Sequence, residues 1–135
     1  MTASSRPFPN LPRGKRFVSV TTFRRSGEGV ATPMWFGWSS GGIYVVTHGP
    51  SGKVKRVRND LRVSVAACRS QGRVTGPERP GRAFFLEGAE RRQAAKAIAR
   101  RYPVPSFLIE FVMRRRGSGV PAVYFSIVDS SVARS

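Results

Sequence analysis

An α+β fold, mainly β with helices, is predicted for this chain: about six mostly antiparallel strands forming a small barrel with helices to one side. Three observations predict it. Short runs rich in β-branched and aromatic residues follow one another through the first half, separated by Gly- and Ser-containing turns. The first three runs stand too close together to hold crossover helices, which excludes a parallel doubly wound sheet. Helix-forming sequence is confined to a short segment after the third run and to the C-terminal part.

The elements follow in order. Residues 1–15 read as a flexible N-terminal segment, because Pro7, Pro9, Pro12 and Gly14 oppose regular structure. Residues 16–129 read as one domain and 130–135 as a C-terminal tail. Residues 16–24 (RFVSVTTFR) predict a strand with Val18, Val20 and Thr22 on one face. A Ser-Gly-Glu-Gly turn leads to a second strand over 30–38 (VATPMWFGW), and a Ser-Ser-Gly-Gly turn to a third over 43–47 (IYVVT). Pro33 has no N–H to give a ladder, so the second strand is expected at an edge or locally bulged. Ser51 is placed to cap a helix running through Asp60, with Val54, Val57 and Leu61 recurring at helical spacing. Residues 62–69 and 81–87 predict two more strands. Residues 89–102 predict an alanine-rich helix that Pro103 helps to end, and residues 106–116 a second one stopped by Gly117. Residues 121–128 (PAVYFSIV) close the chain as a last strand.

Composition narrows the function. The chain has 135 residues, with 24 Lys and Arg against 7 Asp and Glu and a formal charge of +17; 20 of the cations are Arg. Such a field favours an anionic partner, and Arg suits phosphate and carboxylate groups better than Lys does. One histidine (His48) and one cysteine (Cys68) exclude a multi-His or Cys-rich metal centre and an internal disulfide, so no metal is expected. No apolar run approaches the roughly 18–20 residues of a membrane span. The N-terminus lacks the apolar core of a secretory signal, and a cytoplasmic protein is expected.

No catalytic constellation is visible. There is no G-x-S-x-G, no H-E-x-x-H and no confident carboxylate pair, and Glu110 in FLIEFVM reads as solvated or paired with arginine. Chemistry here would rest on a bound cofactor. The informative stretch is residues 47–58, THGPSGKVKRVR. Its glycines allow close backbone approach, a helix start presents free N–H groups, and Lys53 and Arg56 project from one side three residues apart. Those features make a phosphate cradle, and equally a surface helix with solvated cations. His48 reads as a turn residue bordering that cradle. Cys68 reads as a small buried apolar residue. Trp35, Phe36 and Trp38 read as core and edge packing, or as an aromatic strand flanking a planar ligand.

The runs FVSVTTFRRSGEGVATPMWFGW, IYVVTHGPSGKVKRVRNDLRVSVAAC and GRVTGPERPGRAFFLEG resemble, in that order, the flavin/deazaflavin oxidoreductases of the split β-barrel, FMN-binding-like type. They are most similar to the pyridoxamine-phosphate-oxidase-like proteins that use coenzyme F420. The most specific parts are T-P-x-W-F at residues 32–36 and S-G-K-x-x-R at residues 51–56. The resemblance implies that the ring of the cofactor lies against Thr32, Pro33, Met34, Trp35 and Phe36. It implies a phosphate gripped by Thr47, Ser51, Gly52, Lys53 and Arg56. It also implies a homodimer, in which the loop carrying Arg69 and Arg73 reaches the neighbouring site. Residues 105–119 match no motif of that family, and neither the catalytic residues nor the substrate follows.

The expected function is hydride transfer between reduced coenzyme F420 and a small organic substrate, the anionic tail of F420 suiting the +17 charge. FMN in the same fold is the alternative cofactor, and a cofactor carrier without turnover is a further one. A basic nucleic-acid-binding protein rests on charge alone. The chain has no RNP-type run, zinc spacing or helix-turn-helix signature, so nucleic acid is not expected as the partner.

Overall fold

Apolar–polar alternation along the predicted strands and a 3.6-residue period after Ser51 become a closed barrel with three helices. The computed structural model describes residues 17–49, 51–68, 73–101, 105–116, 119 and 121–129. The segments 1–15 and 130–135, Pro50, Arg69, Pro103 and Gly117 lie outside the described residues. Strands β1 (Phe17–Phe23), β2 (Gly29–Trp38) and β3 (Gly42–Thr47) precede helix α1 (Gly52–Asn59). Strands β4 (Arg62–Cys68) and β5 (Arg79–Phe85), helices α2 (Gly88–Arg101) and α3 (Ser106–Arg116), and strand β6 (Val123–Asp129) complete the order. The barrel runs β1-β2-β3-β6-β5-β4 and returns to β1, every pairing antiparallel. The α+β split-barrel class expected from the sequence is the observed one.

Two apolar clusters hold the elements together. Val18, Val20, Phe36, Ile43, Val45, Val65 and Ile127 fill the barrel, joined by Val54 and Val57 of α1. A second cluster lies between the barrel wall and the helices, where Val46 and Tyr124 meet Ala94 and Ile98 of α2 and Ile109 and Met113 of α3. Each fully buried large aliphatic side chain contributes about 1.5–3 kcal/mol. Helix α2 comes close because Gly37 has no side chain: a Cβ there would stand 2.7 Å from the carbonyl carbon of Ala97. Cys68 is buried, which pushes its thiol pKa up and leaves it an inert packing group.

Pro33 marks the feature that matters for function. β2 pairs with β1 in unbroken register, Ser19 opposite Pro33, so there is no bulge. β3 accompanies β2 only from Trp35 to Trp38. Residues 29–34 therefore have β1 on one flank and no strand among the described residues on the other, the edge location that a proline tolerates.

Glu110 is the hub that seats α3. Its carboxylate accepts from Arg91 Nη2 at 3.0 Å, from Arg114 Nε at 3.2 Å and from the backbone N–H of Ala122 at 3.0 Å. The arginine-paired reading of this residue holds. Ser51 occupies the N-cap position of α1, but its Oγ makes no capping bond and is buried without a partner among the described residues, so the expected side-chain cap is absent.

Past α1, Asp60 accepts from the Arg62 backbone N–H at 3.1 Å, from Nε at 3.0 Å and from Nη2 at 2.7 Å. Those bonds hold its carboxyl at about 2, below the ordinary range. A folded-state value lower than the unfolded one, about 3.9, makes this a contribution present above pH 4 and lost as pH falls through about 2. Asp60→Asn is expected to lower stability at neutral pH, with the gap to wild type closing near pH 2. Urea unfolding across that range checks it, and a gap unchanged by pH contradicts a charge origin.

Candidate functional site

Beyond the Trp35–Val46 pair, β2 and β3 no longer run together, and the space between them is a cavity of about 490 Å³. Its apolar lining comes from Phe17 of β1, Pro33, Met34 and Trp35 of β2, Val46 of β3, and Val112 and Met113 of α3. Its polar lining is Thr32, Thr47, His48, Lys53 in the first turn of α1, and Arg116 at the end of α3. No carboxylate is among the described lining residues.

The charges are arranged against one another. Burial lowers the Lys53 pKa, and the nearby positive charges of Arg56 and Arg116 lower it further. Burial also lowers the His48 pKa, reinforced by Lys53 and Arg116, which favours the neutral imidazole. Its Nδ1 is buried without a hydrogen-bond partner among the described residues. Partly desolvated cations that raise one another's energy are relieved by an anion, and none is among the described lining residues.

The sequence-predicted residues divide. Thr32, Pro33, Met34, Trp35, Thr47 and Lys53 come together in this cavity. Phe36 is fully buried in the barrel core, and Trp38 packs edge-on to it at 5.4 Å. Ser51 and Gly52 line a second, more open depression of about 350 Å³ on another flank of α1, together with Lys55 and Arg58. Arg56 lines neither: its Nε donates to Thr22 Oγ1 at 2.6 Å, and a Cβ at Gly52 would stand 3.0 Å from its Nη1. Arg73 is exposed.

Sequence reasoning did not find Phe17, Val46, Val112, Met113 or Arg116. The last three belong to α3, where no motif was recognised; the triple arginine at its end was the available signal. Tyr124 is buried beneath the helices with its hydroxyl pushed up to about 12, by burial and by the charge of Glu110. No tyrosine is among the described lining residues of the cavity.

Among the described residues, no group of three or more His, Cys, Asp or Glu converges to hold a metal. No helix among them is long and apolar enough to cross a membrane. No protein-family model and no curated protein matches the chain. Solved structures do. The heme storage protein HutZ of Vibrio cholerae is 10% identical, with a TM-score of 0.65 over 85% of this chain and 82% of that one. A conserved hypothetical protein of Mycobacterium tuberculosis is 18% identical, with a TM-score of 0.61 over 100% and 91%. A FAD-binding protein of Mesorhizobium loti is 18% identical, with a TM-score of 0.59 over 87% and 81%. At these identities the likeness is one of fold, and the fold is the split β-barrel.

Proposed function

We propose that this protein is an oxidoreductase whose cavity binds the deazaflavin coenzyme F420 and serves hydride transfer between it and a small organic substrate. The observation that carries this reading is the convergence of Thr32, Pro33, Met34, Trp35, Thr47 and Lys53 on one cavity, with Arg116 as a second cation and no carboxylate among the described lining residues. The lining fits such a group. Its volume lies within the roughly 300–1,000 Å³ of cofactor sites, one part is apolar enough for a planar ring, and the other is cationic enough for a phosphodiester.

Bound there, the deazaflavin would supply the hydride chemistry, which requires no nucleophile from the chain. The chain's own residues bind and orient. Pro33, Met34 and Trp35 seat the ring and keep water away. The Thr47 hydroxyl, the Lys53 ammonium and the Arg116 guanidinium hold the anionic portion. Ser51 and Gly52 begin the helix whose first-turn N–H groups add to that field, and Arg56 adds its charge from behind Lys53. FMN in the same cavity is the alternative, and the FAD-binding neighbour supports a flavin-type ligand.

Trp35 lines the cavity and Trp38 does not. Adding F420 should therefore quench tryptophan fluorescence in wild type and Trp38→Phe, and the quench should be lost in Trp35→Phe. A quench that survives Trp35→Phe, with binding confirmed by dialysis, places the ring elsewhere.

The proposal includes a homodimer. Val74 and Phe84 expose apolar surface on the barrel that a second copy would cover. Sedimentation with cofactor present should give a dimer at micromolar protein, and a monomer contradicts this part.

A further inference from the structure

Helix α3 is apolar on two sides. Ile109 and Met113 are buried against the barrel wall and α2. On the outward side, Phe107 is 72% exposed, Phe111 54% and Leu108 38%, three of the six large exposed hydrophobics among the described residues. Phe107, Phe111 and Arg115 follow at four-residue spacing and so share a face, with Leu108 beside them. The Arg115 guanidinium stands 5.8 Å from the Phe111 ring centroid. Arg114, Arg115 and Arg116 end the helix, and its one acid, Glu110, is neutralised by Arg91 and Arg114. The neighbouring α2 exposes Arg92, Lys96 and Arg100 at the same four-residue spacing, a continuous cationic stripe.

We infer that the outward face of α3 docks in the surface of an anionic lipid bilayer. An interfacial helix inserts large apolar side chains below the headgroups and rests its arginines among the phosphates. Phe107, Leu108 and Phe111 are the insertion, and Arg115 with the cations of α2 forms the collar. Charge selects this occupant. A second copy on the same face would bring two sets of helix-end arginines against each other. A nucleic acid would leave the phenylalanines in water. The inference does not depend on which cofactor fills the cavity.

The test is co-sedimentation of the full chain with vesicles of phosphatidylcholine alone and of phosphatidylcholine mixed with phosphatidylglycerol. Binding is expected to the mixed vesicles and not to the neutral ones. Phe107→Ser combined with Phe111→Ser should weaken it about tenfold or more at unchanged charge. Arg115→Gln should weaken it about fivefold. Because these side chains project into solvent, near-UV circular dichroism and thermal unfolding should stay at wild-type values, which separates lost docking from lost folding. Equal vesicle binding by wild type and the double serine variant overturns the inference, since charge alone would then explain it. So does no binding to the mixed vesicles. A lipid-free dimer that the serine substitutions dissociate also overturns it, because the face would then belong to a second copy.

Discussion

Lys53→Ala is expected to lower the affinity for coenzyme F420 about tenfold or more. A charge-assisted contact in a partly desolvated site contributes roughly 1.5–3 kcal/mol, and Lys53 is the cavity cation that burial and two neighbouring positive charges hold in need of an anion. Arg116→Ala should act in the same direction, and the double variant should lose less than the sum because both serve one anion. Lys55→Ala is the matched control. It removes the same charge two residues away, from a side chain that lines the other depression. Arg56→Ala also unties α1 from Thr22, so its effect on affinity has to be read beside its melting temperature. Titrations at low and moderate salt separate a site from a field: if Lys55→Ala costs as much as Lys53→Ala, the phosphate assignment fails.

Gly42→Ala is expected to be the most damaging small substitution in the barrel. Gly42 opens β3 opposite Val128, and a Cβ there would land on the carbonyl oxygen of Ile127, closer than atoms approach. Backbone lies on both sides, so neither partner yields without breaking the β3–β6 ladder. A loss of roughly 3–5 kcal/mol is expected, a large share of the roughly 5–15 kcal/mol that holds a domain folded. Gly41→Ala, whose added methyl would meet only the Val128 Cγ1 at 3.8 Å, should be near neutral. Urea unfolding of the pair decides it; a Gly42→Ala variant within about 0.5 kcal/mol of wild type contradicts the packing described.

Local chemistry was legible in the sequence, and long-range geometry was not. The strand and helix order follows from apolar period and turn residues, and Pro33 alone marked the flank where β2 loses a neighbour. The cradle was only partly legible. Residues 32–35 reach the cavity where β2 leaves its pairing with β3, whereas Phe36, flanked by Val45 of β3, is buried in the core. Ser51 and Lys53 are two apart on a helix, far enough round it to face different spaces. The contribution of α3 was hidden because apolar residues on both its sides leave no single stripe to read, and because its contact with β2 and β3 closes across more than sixty residues of chain.

The most direct test of the central claim is equilibrium binding of coenzyme F420, FMN and FAD to one preparation of the protein under one set of conditions. F420 is expected to bind most tightly, with quenching that requires Trp35 and an affinity that depends on Lys53. A protein that takes FMN or FAD in preference to F420, or that binds none of the three, contradicts it.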